Sequence, residues 1–415
     1  MADTRIESLD VIRGVAVMGI FSVNVIAFAM IEAAYFNPGA YGGHTGADLA
    51  LWAVNMILID GKMRSLFSML FGASMLLVIE RAEASGQSGA SVHVRRMLVL
   101  LLFGLAHFYF IWFGDILAGY AMVGLIAFLF RRRSPRALAV LGSLFILVSM
   151  VQFAGLAWHM AELDKAAHAV GATGAQIRDW NEFGEMFFPG ADTIAKDAAV
   201  HASFLGRLSY MLVERGAEPF VNFLAFAPET LGLMLIGMAG YKSGFLTGQW
   251  ALERYRRIAF WGLLIGGIAS ALVVVVDVQS RFYAPALFAA FFAAAAPFRV
   301  LMALGYAALI IILSRGMGPL AQRVAATGRC AFSNYLGTSI IAAGIFYGWG
   351  LGLYGDLSRW QAWAVAVPLV WVVMLAWSKP WLEHFSYGPL EWLWRSLSRG
   401  ELQPMRRPRL SAAAA

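Results

Sequence analysis

The sequence predicts an all-α polytopic membrane protein, a helix bundle of about ten transmembrane helices with both termini cytoplasmic. Three observations predict it. Apolar residues make up 60% of the 415-residue chain and charged residues only 14%, outside the range of a soluble domain. Apolar runs of about twenty residues, the length that crosses ~30 Å of hydrocarbon, recur along the chain. Lys and Arg gather in alternate short loops between those runs, the pattern that fixes orientation.

The expected spans are 9–32, 63–82, 96–113, 115–131, 137–158, 220–241, 256–276, 296–314, 330–350 and 360–379. The first run has a short acidic n-region and no small-residue cleavage site, so it reads as a retained helix and not as a signal peptide. Loops carrying Arg81, Arg95 and Arg96, then Arg131 to Arg133 and Arg136, then Lys242, Arg254, Arg256 and Arg257, then Arg315, Arg323 and Arg329 fall on one side. That side is expected to be cytoplasmic, whereas Ile31 to Asp60 holds no Lys or Arg.

Residues 1–399 read as a single transmembrane domain with an outer polar insertion at about 159–218, expected to be helical and placed to lid a site. Residues 400–415 read as a flexible basic cytoplasmic tail. Ala47 to Ile59 has helical spacing but is too short to cross; with 63–82 it would run about 50 Å, too long for one crossing. An interfacial helix on the outer face, broken at Gly61, is expected there. A second interfacial helix is expected around 385–395, with Glu391 and Arg395 paired at i, i+4.

The net charge of +7 is concentrated in the topology-setting loops, and no segment has the interleaved aromatics of a nucleic-acid surface. The lone Cys330 excludes an intramolecular disulfide. No two histidines share metal-ligand spacing on one helix, so no metal is expected.

The residues that point to chemistry are ionisable groups within or beside spans, which usually face protein or an aqueous path. The first span opens Leu9-Asp10-Val11-Ile12-Arg13-Gly14 and carries Asn24 near its middle; the plainer reading is that Asp10 and Arg13 cap and anchor the helix. Lys62 and Arg64 at the mouth of the second span suit an anionic group or snorkelling to lipid phosphates. Gly72, Ala73 and Ser74 suit close helix packing. His107 lies about three turns inside the third span, where imidazole is either a packing residue or a proton-transfer group oriented by Asp115 from across the turn. His44, in a glycine-rich outer loop, is the other candidate base. Glu229 sits within the sixth span, where a carboxylate must be neutral, paired or lining water. Arg329 and Asn334 belong to a polar cluster at the mouth of the ninth span.

Several of these stretches carry a resemblance. Leu9 to Gly14, Gly61 to Gly72, Arg95 to Gly104 leading into His107, Gly114 to Leu117, Gly328 to Tyr335 and Tyr387 to Arg395 resemble the YeiB-like bacterial membrane proteins, domain of unknown function 418. That family is distantly similar to the transmembrane acyltransferase superfamily of acyltransferase-3 and heparan-glucosaminide N-acetyltransferase enzymes. Their first span begins Asp-x-x-Arg-Gly, as Asp10, Arg13 and Gly14 do here. The acyltransferase-3 histidine eleven residues after that arginine is replaced by Asn24, as in the heparan enzymes. Those enzymes have their catalytic histidine further on, and His44 is the nearest one here.

The resemblance implies acyl transfer from cytoplasmic acyl-CoA, a donor substrate and not a resident cofactor, to an extracytoplasmic carbohydrate, lipid or metabolite acceptor. It implies His107, His44, Asp115 and Asn24 as catalytic candidates. The donor-binding candidates are Arg13, Asp10, Lys62, Arg64, Arg329 and Asn334. The alternative from another class is a proton-coupled transporter or flippase of a small amphipathic molecule, using Glu229 and His107. Either reading expects the bacterial cytoplasmic membrane, with the lipid bilayer as partner, and leaves the oligomeric state open.

Overall fold

The computed structural model describes residues 6–407, and among them every regular element is helical; the β feature is an isolated bridge between Phe385 and Arg406. In chain order the helices are α1 (Glu7–Ala29), α2 (Ala33–Phe36), α3 (Gly46–Leu58), α4 (Lys62–Ala84), α5 (Gly89–Phe110), α6 (Leu117–Ala127), α7 (Pro135–Ala167), α8 (Gly174–Glu185) and α9 (Ala191–His201). They continue as α10 (Phe204–Val213), α11 (Glu218–Lys242), α12 (Leu252–Gln279), α13 (Ala284–Leu287), α14 (Ala296–Ser314), α15 (Pro319–Arg329), α16 (Ala331–Phe346), α17 (Arg359–His384) and α18 (Pro389–Arg399). A 3₁₀ turn, Phe128–Phe130, extends α6, and a π-helical segment, Phe288–Ala294, joins α13 to α14.

Among the described residues, eight helical stretches are long and apolar enough to cross a membrane: α1, Gly46–Ala84, α5, α7, α11, α12, α14 and α17. They match eight of the ten expected spans. The other two, 115–131 and 330–350, are the shorter apolar helices Leu117–Phe130 and Ala331–Phe346, about 21 and 24 Å long at 1.5 Å per residue. Before α6 the chain instead descends as an irregular turn folded into the bundle, with Trp112 buried and its Nε1 donating to Ala27 O at 3.4 Å. Non-helical backbone is tolerated at depth where protein surrounds it.

The basic loops converge on one end of the bundle. Lys242 donates to the carbonyls of Arg131 and Arg133, Tyr241 to Glu80, and Trp394 to Arg96 O. The start of α1 is there too, through Ser8 Oγ to Leu246 O, and so is α18. The start of α1 and the helix α18 therefore lie at the same end, as an even number of crossings between them requires. The polar insertion covers the opposite end: Asn37 Nδ2 donates to Phe187 O at 2.8 Å, and Gly348 N to His201 O at 3.0 Å.

The break expected between α3 and α4 is present, at Gly61 with φ +71°. From the opposite end, where Asp48 accepts from Trp360 N, α3 descends into the bundle, with Leu51, Trp52, Asn55 and Met56 buried. Asn55 is bonded to Ser22, fifteen residues into α1 or about 22 Å from its start. The pair α3–α4 thus behaves as one long discontinuous element. Small residues let backbones touch, as Gly72 does against the Met234 carbonyl of α11.

In the tail, α18 forms as expected, but Glu391 does not pair with Arg395. It accepts from Phe332 N, Ser333 N and Ser333 Oγ, capping α16, while Arg395 lies over the Tyr387 ring. Of the expected flexible tail, 408–415 lies outside the described residues. The stretch 400–407 folds back, with Trp392 Nε1 donating to Gln403 O at 2.7 Å.

Candidate functional site

The break at Gly61 forms the floor of a cavity of about 310 Å³ that runs from the middle of the bundle to the insertion-covered end. Gly61 suits this position twice over. Its positive φ is unfavourable for any residue with a side chain, and a Cβ there would stand 2.3 Å from Arg299 Cδ. The broken helix leaves polar groups to be satisfied at depth, and charged side chains do so. Lys62 Nζ donates to Met56 O at 2.5 Å, closing the end of α3.

Around the break stands an ionic network. Arg64 Nη2 donates to Glu229 Oε2 at 2.5 Å, and Arg299 Nη2 to Glu229 Oε1 at 2.8 Å. Arg299 donates in addition to Phe291 O in the π-helical segment, where the irregular backbone presents a carbonyl. Glu229 is therefore a doubly paired anion, one of the three states open to it from sequence. Asp60 accepts from Tyr35 O–H at 3.1 Å, and its second oxygen, also buried, has no hydrogen-bond partner among the described residues. Tyr120 and Ser68 share a hydroxyl–hydroxyl bond at 2.6 Å beneath Arg64.

The turn between α5 and α6 forms one wall. His107 Nδ1 and Asp115 Oδ1 lie 2.9 Å apart, and Asp115 Oδ2 accepts from Ala118 N at 2.8 Å, so one carboxylate both orients the imidazole and caps α6. Asp115 lines the cavity; His107 stands behind it, its Nε2 buried without a hydrogen-bond partner among the described residues. At the rim, Arg215 joins Glu32 at 2.9 Å and both oxygens of Glu218.

Of the residues singled out from sequence, Asn24, Arg64 and Asp115 meet in this cavity, with Glu229 and His107 directly behind it. His44 does not join them: it is exposed on the loop before α3. Asp10 and Arg13 lie at the basic end, where Arg13 bonds Asp10 at 3.3 Å, Gly328 O at 3.4 Å and Ser74 Oγ at 2.9 Å. There α1 and α15 approach so closely that a Cβ on Gly328 would be 1.9 Å from Asp10 O. Two of the recognisable motifs, Asp10 to Gly14 and the one opening at Gly328, are thus a single helix contact. Arg329 ends α15 at that contact, and Asn334 ties α16 to Thr327 O, Ser378 and Trp377.

The sequence alone assigned no role to Tyr35, Asp60, Tyr120 or Arg299. Arg299 carried a signal, a cation inside the expected span 296–314 with no local counter-ion.

A second recess, about 1040 Å³, lies at the basic end. Arg81, Lys242 and Arg315 line it alongside Glu7 and Glu80. Its residues and those of the central cavity share α4: Arg64 and Leu77 are thirteen positions, or about 20 Å, apart.

Fold and site together define a multi-pass α-helical membrane protein with a discontinuous helix and an internal ion network beside a cavity. The chain belongs to the YeiB-like DUF418 family. The model of "Protein of unknown function (DUF418)" matches residues 240–401. The chain is 33% identical to "Uncharacterized protein YxaH" of Bacillus subtilis (strain 168), over 98% of this chain and 97% of that one. It is 32% identical to "Uncharacterized protein YeiB" of Escherichia coli (strain K12), over 95% and 96%. It is 23% identical to a 39.9 kDa protein in the amylase 3' region of Bacillus acidopullulyticus, over 97% and 96%. No solved structure matches the chain.

Proposed function

We propose that this protein is an acyltransferase of the bacterial cytoplasmic membrane, moving an acyl group from cytoplasmic acyl-CoA to an acceptor held in the central cavity. The observation that carries the reading is the convergence of Asn24, Arg64 and Asp115 on one cavity, with Asp115 holding His107 Nδ1 and leaving Nε2 uncommitted. That is the arrangement of an oriented general base. The positive-inside rule makes the basic end cytoplasmic, so the cavity opens to the extracytoplasmic side. The recess at the basic end, with Arg81, Lys242 and Arg315, suits the phosphates of the donor.

In this reaction the acceptor's O–H or N–H proton passes to the base as the heteroatom attacks the thioester carbonyl. The C–S bond then breaks, and the proton leaves with the CoA thiol. Asn24 and Arg64 stabilise the developing oxyanion. His107 lies one side-chain layer from the cavity, so the reaction requires the wall at Trp112 to Asp115 to admit the acceptor.

The test is release of free CoA from acetyl-CoA by purified protein in proteoliposomes, supplied with an envelope extract as acceptor. Wild type should release CoA, and His107→Ala and Asp115→Asn should lower turnover by about 10² to 10⁴. No release by wild type, or full turnover in both variants, overturns the reading. A second reading, transport of a small amphipathic molecule, draws on the break at Gly61, because discontinuous helices at mid-depth are a transporter device. Uptake of label into sealed vesicles without CoA release would favour it.

A further inference from the structure

The charge facing the cavity is lopsided. Among the described residues four carboxylates line it, Glu32, Asp60, Asp115 and Glu218, against a single cation, Arg64. The other cations of the cluster stand behind the wall or at its edge: Lys62 is turned onto Met56 O, Arg299 onto Glu229 and Phe291 O, and Arg215 onto Glu32 and Glu218. Arg64 is itself committed to Glu229.

Asp60 sharpens the point. It is 6% exposed, it lines the cavity, and the oxygen not bonded to Tyr35 has no hydrogen-bond partner among the described residues. A buried carboxylate oxygen left unpaired is costly, and a ligand that brings a proton donor or a positive charge relieves it. An anionic ligand would instead meet Asp60 beside Arg64, and a purely apolar one would leave Asp60 as it is. The walls agree with a cation. Tyr35, Trp112, Phe113, Tyr120, Phe223 and Phe226 present aromatic surface around the carboxylates, and ring faces attract a desolvated cation.

We infer that the molecule received in this cavity carries a cationic nitrogen, its ammonium group held against Asp60 and the aromatic wall. This rests on the acyl-transfer reading only in making that molecule the acceptor. The binding itself is measured without turnover.

The experiment uses the full-length protein in nanodiscs and isothermal titration with three probes: choline, its neutral carbon isostere 3,3-dimethylbutan-1-ol, and acetate. Choline should bind about tenfold or more tightly than the isostere, and acetate should not compete. Asp60→Asn should bring choline down to the level of the isostere, and Asp60→Glu should restore part of the difference. Should Asp60→Asn not yield folded protein, Glu32→Gln at the exposed rim should weaken choline and leave the isostere unchanged. Equal binding of choline and isostere, preferential binding of acetate, or no binding of choline overturns the inference. CoA release retained in the absence of any cation preference would remove this inference and leave the acyl-transfer reading standing.

Discussion

Arg64 and Glu229, 165 residues apart in the chain, meet at 2.5 Å in the middle of the bundle, and Arg299 holds the other oxygen of the same carboxylate at 2.8 Å. Removing the shared anion leaves two guanidinium groups facing each other in a site where Arg299 is almost wholly buried. Breaking a buried ion pair from one side costs about 3–5 kcal/mol. Glu229→Gln should therefore lower the thermal midpoint in detergent markedly. An unchanged midpoint would mean that the network does not hold the bundle together.

Gly61→Ala should be more damaging than Gly46→Ala, although both glycines have positive φ, +71° and +54°. Both positions have a backbone that a residue with a side chain adopts only under strain, and Gly61, at ψ −30°, lies outside the left-handed helical well as well. Only at Gly61 does the new methyl group collide, with Arg299 Cδ, while nothing lies within 4 Å of a Cβ at Gly46. Thermal unfolding of the two variants checks the difference, and equal midpoints would count against the tight floor.

The spans were legible because hydropathy is local: eight of the ten expected runs coincide with long apolar helices. The break at Asp60-Gly61-Lys62 was legible for the same reason. His107 with Asp115 was readable because eight residues around a turn bring them together. The network at Glu229 was not, since its partners lie 165 and 70 residues away and no periodicity links them. Asp10 and Arg13 stood out as charges in an apolar helix. In the fold they bond each other, and Arg13 also reaches the backbone of α15, a contact that no pattern within α1 reveals. Glu391 shows the same limit, because the i, i+4 spacing to Arg395 is satisfied in sequence yet the carboxylate turns to another helix.

Glu391→Gln should loosen the packing of α18 under the bundle. The carboxylate accepts from two backbone N–H groups and a hydroxyl at the start of α16, and hydrogen bonds to a charged group contribute about 1.5–3 kcal/mol. Arg395→Ala should stay within about 1 kcal/mol, losing only its stacking on Tyr387. Limited proteolysis of the C-terminal segment, with thermal unfolding, reads both. Equal sensitivity of the two variants would contradict the capping role.

Sidedness follows from the gathering of basic loops at one end. Reporters fused after Arg133 and after Trp250 should read cytoplasmic, and one near Asp179 in α8 should read extracytoplasmic. A cytoplasmic signal at Asp179 would invert the assignment of the cavity to the outer face.

The insertion should loosen at acid pH through His201. Its ring stacks on Tyr354 with centroids 4.2 Å apart, its Nδ1 bonds Asp197 O at 2.9 Å, and its own carbonyl accepts from Gly348, so it pins α9 to the turn after α16. Burial pushes the imidazole below its ordinary value of 6.5, Arg207 and Arg215 push the same way, and Asp197 opposes them. A group whose value is depressed on folding takes up its proton more readily when unfolded. The stability it contributes is present above pH 6.5 and is lost as pH falls through the lower folded value. Hydrogen exchange in α9 should therefore be slow at pH 8 and faster at pH 5, beyond the intrinsic pH dependence of exchange. His201→Gln, which cannot gain a charge, should flatten that difference. If protection of α9 is equally pH-dependent in wild type and variant, another group controls the insertion and His201 is only a packing residue.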